Sequence, residues 1–241
     1  MEDKEILNQR KIFFKGDQDT HLAESLRVLR TNIHFMEDKK NRIVVFTSTI
    51  PKEGKSTMAA NYAMSVAISG EKVLLVDCDI RRPRAHTSFG IKVKKGMGSI
   101  LLGEAKTEDV ILKGVEKNLD ILPSTHLNYN VTELFLGNKM KSLLEDLRKK
   151  YDLIVLDTPP IVISTDAIIL SEYSDGVVYV CGYDMVSKKE LLQSKKLLDR
   201  AGAKIYGVVV NKIDKKGYSY GNYGYYNNNY NYYEDYIKGD K

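Results

Sequence analysis

IVVFTSTIPKEGKST, residues 43 to 57, decides the fold. It opens on four apolar, mostly β-branched residues, which read as a buried strand. It closes on Gly54-Lys55-Ser56-Thr57, where a helical pattern over 56–69 begins. Strand, short loop, then G-K-[ST] opening a helix is the setting of a phosphate-binding loop. Backbone N–H groups at a helix start suit phosphate oxygens, the lysine reaches the β- and γ-phosphates, and the Ser56 hydroxyl can hold Mg²⁺. Thr49 stands where the usual pattern has its first glycine, so the match is incomplete. A chance G-K-S-T at a helix start would look the same, and the loop needs support from the rest of the chain.

Outward from this stretch, apolar runs alternate with helical patterns. The runs are 73–76, 119–122, 153–156, 177–180 and 208–210, besides 43–46 itself. Helical patterns cover 56–69, 132–150, 165–172 and 187–201. Such alternation predicts one α/β domain: a doubly wound, mainly parallel sheet with helices on both faces and a P-loop NTPase fold. Ligands of such sheets sit beyond the carboxyl ends of the strands. Residues 22–33 add a helix whose Leu22, Leu26, Leu29 and Ile33 form a narrow apolar stripe, leaving Glu24, Arg27 and Arg30 on the other side.

Two further strand ends support the loop. VLLVDCDIR places Asp77 and Asp79 just past one run, and LIVLDTPP places Asp157 just past another. Alone, each aspartate is as readily a helix cap or turn former. Together they put three carboxylates at the sheet edge that carries Lys55, where burial is costly without a partner. Mg²⁺ bound to phosphate oxygens would be that partner, held by Ser56, Asp79 and Asp157. One of Asp77 and Asp79 would hold the metal while the other takes a proton from an attacking hydroxyl; the base is assigned to Asp77. Asn211-Lys212-Ile213-Asp214 spells the N-K-x-D of guanine readers, yet LDTPP lacks the glycine of a GTPase switch. Asn211 serves an adenine edge equally well, so ATP is the expected nucleotide.

Composition bounds the rest. The 241 residues are 43% hydrophobic and 29% charged, with a net charge of +5, which permits acidic partners without demanding them. Nucleic acid is not expected as a partner. Cys78 and Cys181 match no metal spacing and are expected to be reduced thiols. The charged start, MEDKEILNQRK, is unlike a signal peptide. No apolar run reaches the roughly 18 residues that span a bilayer, which predicts a chain that is soluble or held at a membrane by another protein.

Residues 1–19 are polar and expected to be flexible, residues 20–216 form the nucleotide domain, and from Gly217 the composition changes. Nine of 16 tyrosines fall in the last 25 residues, interleaved with Gly and Asn: Tyr218, Tyr220, Tyr223, Tyr225, Tyr226, Tyr230, Tyr232, Tyr233 and Tyr236. With almost no aliphatic residues, this segment is expected to be a disordered tail. Its typical span is roughly 25–30 Å, more when extended, so it could visit its own site or a neighbour's. An adhesive tail is the bland reading, and self-phosphorylation the functional one.

These motifs resemble those of the bacterial tyrosine kinases of capsule and exopolysaccharide synthesis, in their separate cytoplasmic form. The likeness covers nearly the whole chain. It rests on the loop variant TSTIPKEGKST with Pro51 and no first glycine, on VLLVDCDIRRP, on LIVLDTPP and on the tyrosine-rich end. It implies ATP and Mg²⁺ as cofactors. It also implies a nucleotide loop of Thr49, Pro51, Lys52, Glu53, Gly54, Lys55, Ser56 and Thr57, with Asn211, and the tail tyrosines as acceptors. Lys52 departs from the pattern, where glycine is more common. Glu24, Arg27 and Arg30 resemble the E-x-x-R-x-x-R motif through which such kinases assemble into a homo-oligomeric ring. The resemblance further implies a cytoplasmic protein, recruited to the inner membrane face by a membrane-bound activator with a cytoplasmic segment, and a cognate tyrosine phosphatase. Partition and septum-site ATPases share the fold, but they carry a second lysine where this chain has Ile50.

Overall fold

The computed structural model describes Ile12, Phe14 and residues 21–36 and 41–213. Seven strands form one sheet among these residues: β1 (Arg42–Ser48), β2 (Val73–Asp77), β3 (Leu112–Glu116), β4 (Leu119–Leu122), β5 (Leu153–Asp157), β6 (Gly176–Gly182) and β7 (Ile205–Asn211). Their spatial order is β3-β4-β2-β5-β1-β6-β7. All neighbours are parallel except β3 and β4. The six apolar runs read from the sequence are six of these strands. The seventh, β3, is the antiparallel edge, and its half-exposed LKGVE carries no apolar run to betray it.

Helices cover both faces. They are α1 (His21–Met36), α2 (Lys55–Ile68), α3 (Met97–Leu102), α4 (Thr107–Val110), α5 (Val131–Leu136), α6 (Asn138–Arg148), α7 (Asp166–Ser171) and α8 (Lys188–Arg200). Alternate residues of each central strand point to opposite faces. Val44, Phe46, Leu75 and Val155 meet α2, whose Ala59, Ala60, Ala63 and Ala67 let it lie close to the sheet. Ile43, Val45, Leu74 and Leu156 meet Phe135, Leu144 and Leu170 of the opposite layer. The single helix expected over 132–150 is two, because Gly137 takes an extended conformation between α5 and α6. α8 opens on a capping box between Ser187 and Glu190.

α1 departs from the expected stripe. Leu26 and Ile33 are buried, but Leu22 is 38% exposed and Ala23 takes its place inside. Arg30 is not on the far side: it reaches across and donates to the Ser65 carbonyl of α2 at 2.7 Å. Arg27 pairs with Glu24 at 3.0 Å and lies over the Phe14 ring. Phe14 is itself buried, its N–H donating to Asn61 Oδ1 at 3.0 Å. Among the described residues, no helix is long and apolar enough to cross a membrane. The tail tyrosines and Asp214 lie outside the described residues.

Candidate active site

The sheet register assembles the site. β5 lies between β1 and β2, with Phe46 opposite Asp157 and Asp77 opposite Asp157. Two carboxylates therefore end adjacent strands at one level, directly below the loop that leaves β1. Both are buried. Burial, with the Asp77 charge adding to it and Lys55 opposing it, pushes the Asp157 carboxyl up to about 6.

The loop is held from below and from the side. Thr49, where the first glycine was missing, shares a hydrogen bond with the buried Tyr179 hydroxyl at 2.7 Å, an anchor to β6 that glycine could not supply. Glu53 is fully buried. One of its oxygens accepts from Ile50 N at 2.8 Å and the other from Gly182 N at 3.0 Å, so its side chain braces the loop rather than facing a ligand. Asn211, at the end of β7, donates to the Glu53 carbonyl at 2.9 Å. A Cβ at Gly54 would sit 2.0 Å from that amide nitrogen, and φ there is +99°, so only glycine fits. Pro51 and Lys52 are exposed at the tip. Lys52 has φ +70°, a left-handed conformation, which explains why glycine is the more natural residue there.

Lys55 opens α2 and is buried. Its Nζ donates to Asp157 Oδ1 at 3.0 Å and to Ser56 Oγ at 3.1 Å, and lies 4.0 Å from Asp79 Oδ2. Thr57 follows in the first turn of the helix. Asp79 is raised above an ordinary carboxylate, chiefly by burial, with Lys55 working against it. Asp77 is committed: it accepts from the backbone of Asp79 at 3.1 Å and from those of Arg84 and Ala85 at 2.8 Å each. His86 Nδ1 lies 3.7 Å from it.

Asp157 Oδ2 is buried with no donor. Such an orphaned oxygen beside a serine hydroxyl and a second carboxylate suits a hard cation or its water. Among the described residues, no group of three or more His, Cys, Asp or Glu side chains encloses a metal. A magnesium ion here would complete its shell with phosphate and water, as that ion commonly does.

The sequence reading brought Lys55, Ser56, Asp77, Asp79 and Asp157 to one crevice, and the structure places them there together. It missed the loop after Asp79. Arg81 pairs with the buried Asp166 at the start of α7, and Thr132 Oγ1 donates to that same carboxylate at 3.2 Å. The run RRPR, one residue beyond D-x-D, was the available signal.

Comparison with known proteins bears on this geometry. Residues 42–200 match the family model described as an AAA domain. The tyrosine-protein kinase YwqD of Bacillus subtilis is 36% identical over 90% of this chain and 92% of its own. The tyrosine-protein kinase CpsD of Streptococcus agalactiae is 32% identical over 84% of this chain and 89% of its own. Among solved structures, the chimerical protein CapA2B2 superposes with a TM-score of 0.79 at 32% identity, covering 88% of this chain and all of that one. The kinase domain of the Escherichia coli tyrosine kinase ETK gives 0.76 at 31%, covering 83% and 80%. MinD of Pyrococcus horikoshii, solved with Mg-ADP, is more distant, with a TM-score of 0.61 at 25% identity over 70% and 69%. The chain is therefore a nucleotide-using P-loop enzyme, and it belongs to the bacterial tyrosine-protein kinases of capsule and exopolysaccharide synthesis.

Proposed function

We propose that this chain transfers the γ-phosphoryl group of ATP to tyrosines of a neighbouring copy's C-terminal segment, and so regulates polysaccharide synthesis and export. The observation that carries the reading is Lys55, a buried ammonium held between Asp157 and Asp79 at the foot of a phosphate-binding loop. Phosphate oxygens offer Lys55 a stronger partner and free Asp157. Ser56, Asp79 and Asp157 would then hold Mg²⁺, which supplies neutralisation of the phosphate charge. The bond from the γ-phosphorus to its bridging oxygen breaks, and one to the tyrosine oxygen forms. The hydroxyl proton passes to a carboxylate, Asp77 in the sequence assignment or its neighbour Asp79.

Glu24, Arg27 and Arg30 are the proposed assembly surface, although Arg30 is already engaged with α2. The partners are a membrane-bound activator, acting through its cytoplasmic segment at the inner membrane face, and a tyrosine phosphatase. Each phosphate adds about −1.5 to −2 charges. Four per chain outweigh the net +5 and loosen a ring of like-charged tails.

The experiment is intact-mass measurement with Mg·ATP or Mg·GTP. Kinase activity adds multiples of about 80 Da with ATP alone. Equal turnover of GTP, or hydrolysis with no added mass, would favour a nucleotide switch of the partition or septum-site kind. Mixing Lys55→Met with an otherwise intact chain truncated after Lys216 tests transfer in trans. Phosphate should appear on the Lys55→Met tail, and a mixture that stays unmodified defeats the scheme.

A further inference from the structure

Three arginines stand within five residues of Asp79, at positions 81, 82 and 84. Arg81 is spent on Asp166. The other two differ. The backbone N–H of Arg82 donates to Asp79 Oδ1 at 3.0 Å, and that of Arg84 donates to Asp77 Oδ2 at 2.8 Å. Both residues are exposed, and among the described residues neither guanidinium has a hydrogen-bond or ion-pair partner. Pro83 between them limits the backbone. Each reaction-centre carboxylate thus carries, one amide away, an arginine facing solvent.

We propose that Arg82 and Arg84 form a phosphotyrosine subsite, which holds an already phosphorylated part of the tail while the next tyrosine is modified. The inference rests on the tail being the acceptor. A guanidinium pair recognises a phosphate dianion through two-pronged, charge-assisted hydrogen bonds and has far less hold on neutral tyrosine. The tail's spacing fits. Successive tyrosines from Tyr218 to Tyr236 are one to four residues apart. An extended chain covers at most about 14 Å over four residues, so whichever tyrosine lies at Asp77 and Asp79, a neighbouring phosphate falls within reach of the arginine rim. The unmodified tail brings little charge of its own: Glu234, Asp235 and Asp240 against Lys238 and Lys241. The first phosphate therefore creates the ligand, and later transfers run faster than the first.

The test is an intact-mass time course on the full chain with Mg·ATP, before and after Arg82→Gln/Arg84→Gln. Nine independent tyrosines would fill binomially at every mean occupancy. The wild type should instead show an excess of multiply phosphorylated chains beside unmodified ones. Its second transfer should be about tenfold faster than the first, a difference of about 1.4 kcal/mol. In the double variant that ratio should fall to about one. Arg82→Lys/Arg84→Lys should fall between, since lysine keeps the charge but loses the fork, and added salt should shrink the wild-type excess. A binomial wild type overturns the proposal, as does a double variant that keeps the wild-type ratio. A wild type that gains no mass at all sinks the kinase reading itself, a different result from either.

Discussion

The amino and carboxyl ends of the same strands treat buried charge in different ways. Just before β6, Asp175 accepts from Arg148 through both oxygens, at 3.2 and 3.1 Å, and from Ile43 N at 2.7 Å. At the start of β1, Arg42 meets both oxygens of Glu71, at 2.9 and 3.1 Å. These carboxylates are paired oxygen by oxygen, as a structural ion pair should be. At the other end, Asp157 has one oxygen on Lys55 and one on nothing, with Asp77 beside it across the ladder. Sheet packing does not demand that arrangement. A carboxylate left partly unsatisfied in the core costs stability, and sites accept such costs where a ligand will complete them.

The largest effect that tests this contrast comes from one substitution at each end. The folded state holds the Asp157 proton up to about pH 6, above the range of an unfolded carboxylate. The sign follows: as pH rises from about 4 through about 6, ionisation destabilises the folded chain, by on the order of 1–3 kcal/mol. Asp157→Asn removes that ionisation. Without nucleotide, its melting temperature should gain on the wild type across this window and stay ahead at pH 7, while phosphoryl transfer falls by about 100-fold or more. Asp175→Ala should do the reverse. It strands the Ile43 N–H and Arg148, costs about 1–3 kcal/mol near neutral pH, and leaves transfer intact. If thermal melts show both variants equally destabilised at pH 7, the two ends are built alike and the contrast fails.

A smaller effect separates the two aspartates of D-x-D. Asp77 organises the loop that follows it through three backbone donors, whereas Asp79 accepts one backbone N–H, from Arg82. Asp77→Asn swaps one accepting oxygen for an NH₂ facing N–H groups, at about 1–3 kcal/mol. Asp79→Asn should cost well under that. Both should lose transfer, so calorimetry beside phosphotyrosine blotting distinguishes a loss through the loop from a loss through chemistry alone. Equal melting temperatures for the two variants would return Asp77 to a purely chemical role.

What the sequence made legible follows the same division. The central strands were readable because a strand covered on both faces must be apolar throughout, and the strand-end aspartates stood out because such runs tolerate few charges. β3 was not readable, since an edge strand with one face in solvent loses that signature. The split at Gly137 was hidden inside a continuous helical period. At the site, residue types announced Lys55, Ser56 and the aspartates, but not the part each plays. That Glu53 points inward to Gly182, that Thr49 bonds Tyr179, and that Arg30 caps a carbonyl of α2 depend on partners far off in the chain. No local pattern encodes those meetings.

The smallest effect concerns the tip of the phosphate loop, where two positive-φ residues lie side by side in function but not in chemistry. Gly54, at φ +99°, has no room for a side chain, because a Cβ would strike Asn211. Lys52, at φ +70°, has an exposed side chain and therefore only backbone strain against it. A left-handed conformation costs an L-residue about 1–2 kcal/mol. Glycine would remove that cost and give back about 0.4–1 kcal/mol by loosening the unfolded chain. The net gain from Lys52→Gly is then on the order of 0.5 kcal/mol, or roughly 1–2 °C for a domain of this size. Gly54→Ala in the same loop should go the other way by more, since it adds a clash to the strain and breaks the Asn211 contact with the Glu53 carbonyl. Differential scanning calorimetry on the two variants reads both signs. Should Lys52→Gly melt lower than the wild type, the turn is held by the lysine side chain itself, and the loop tip belongs with the braced part of the site rather than with its open mouth.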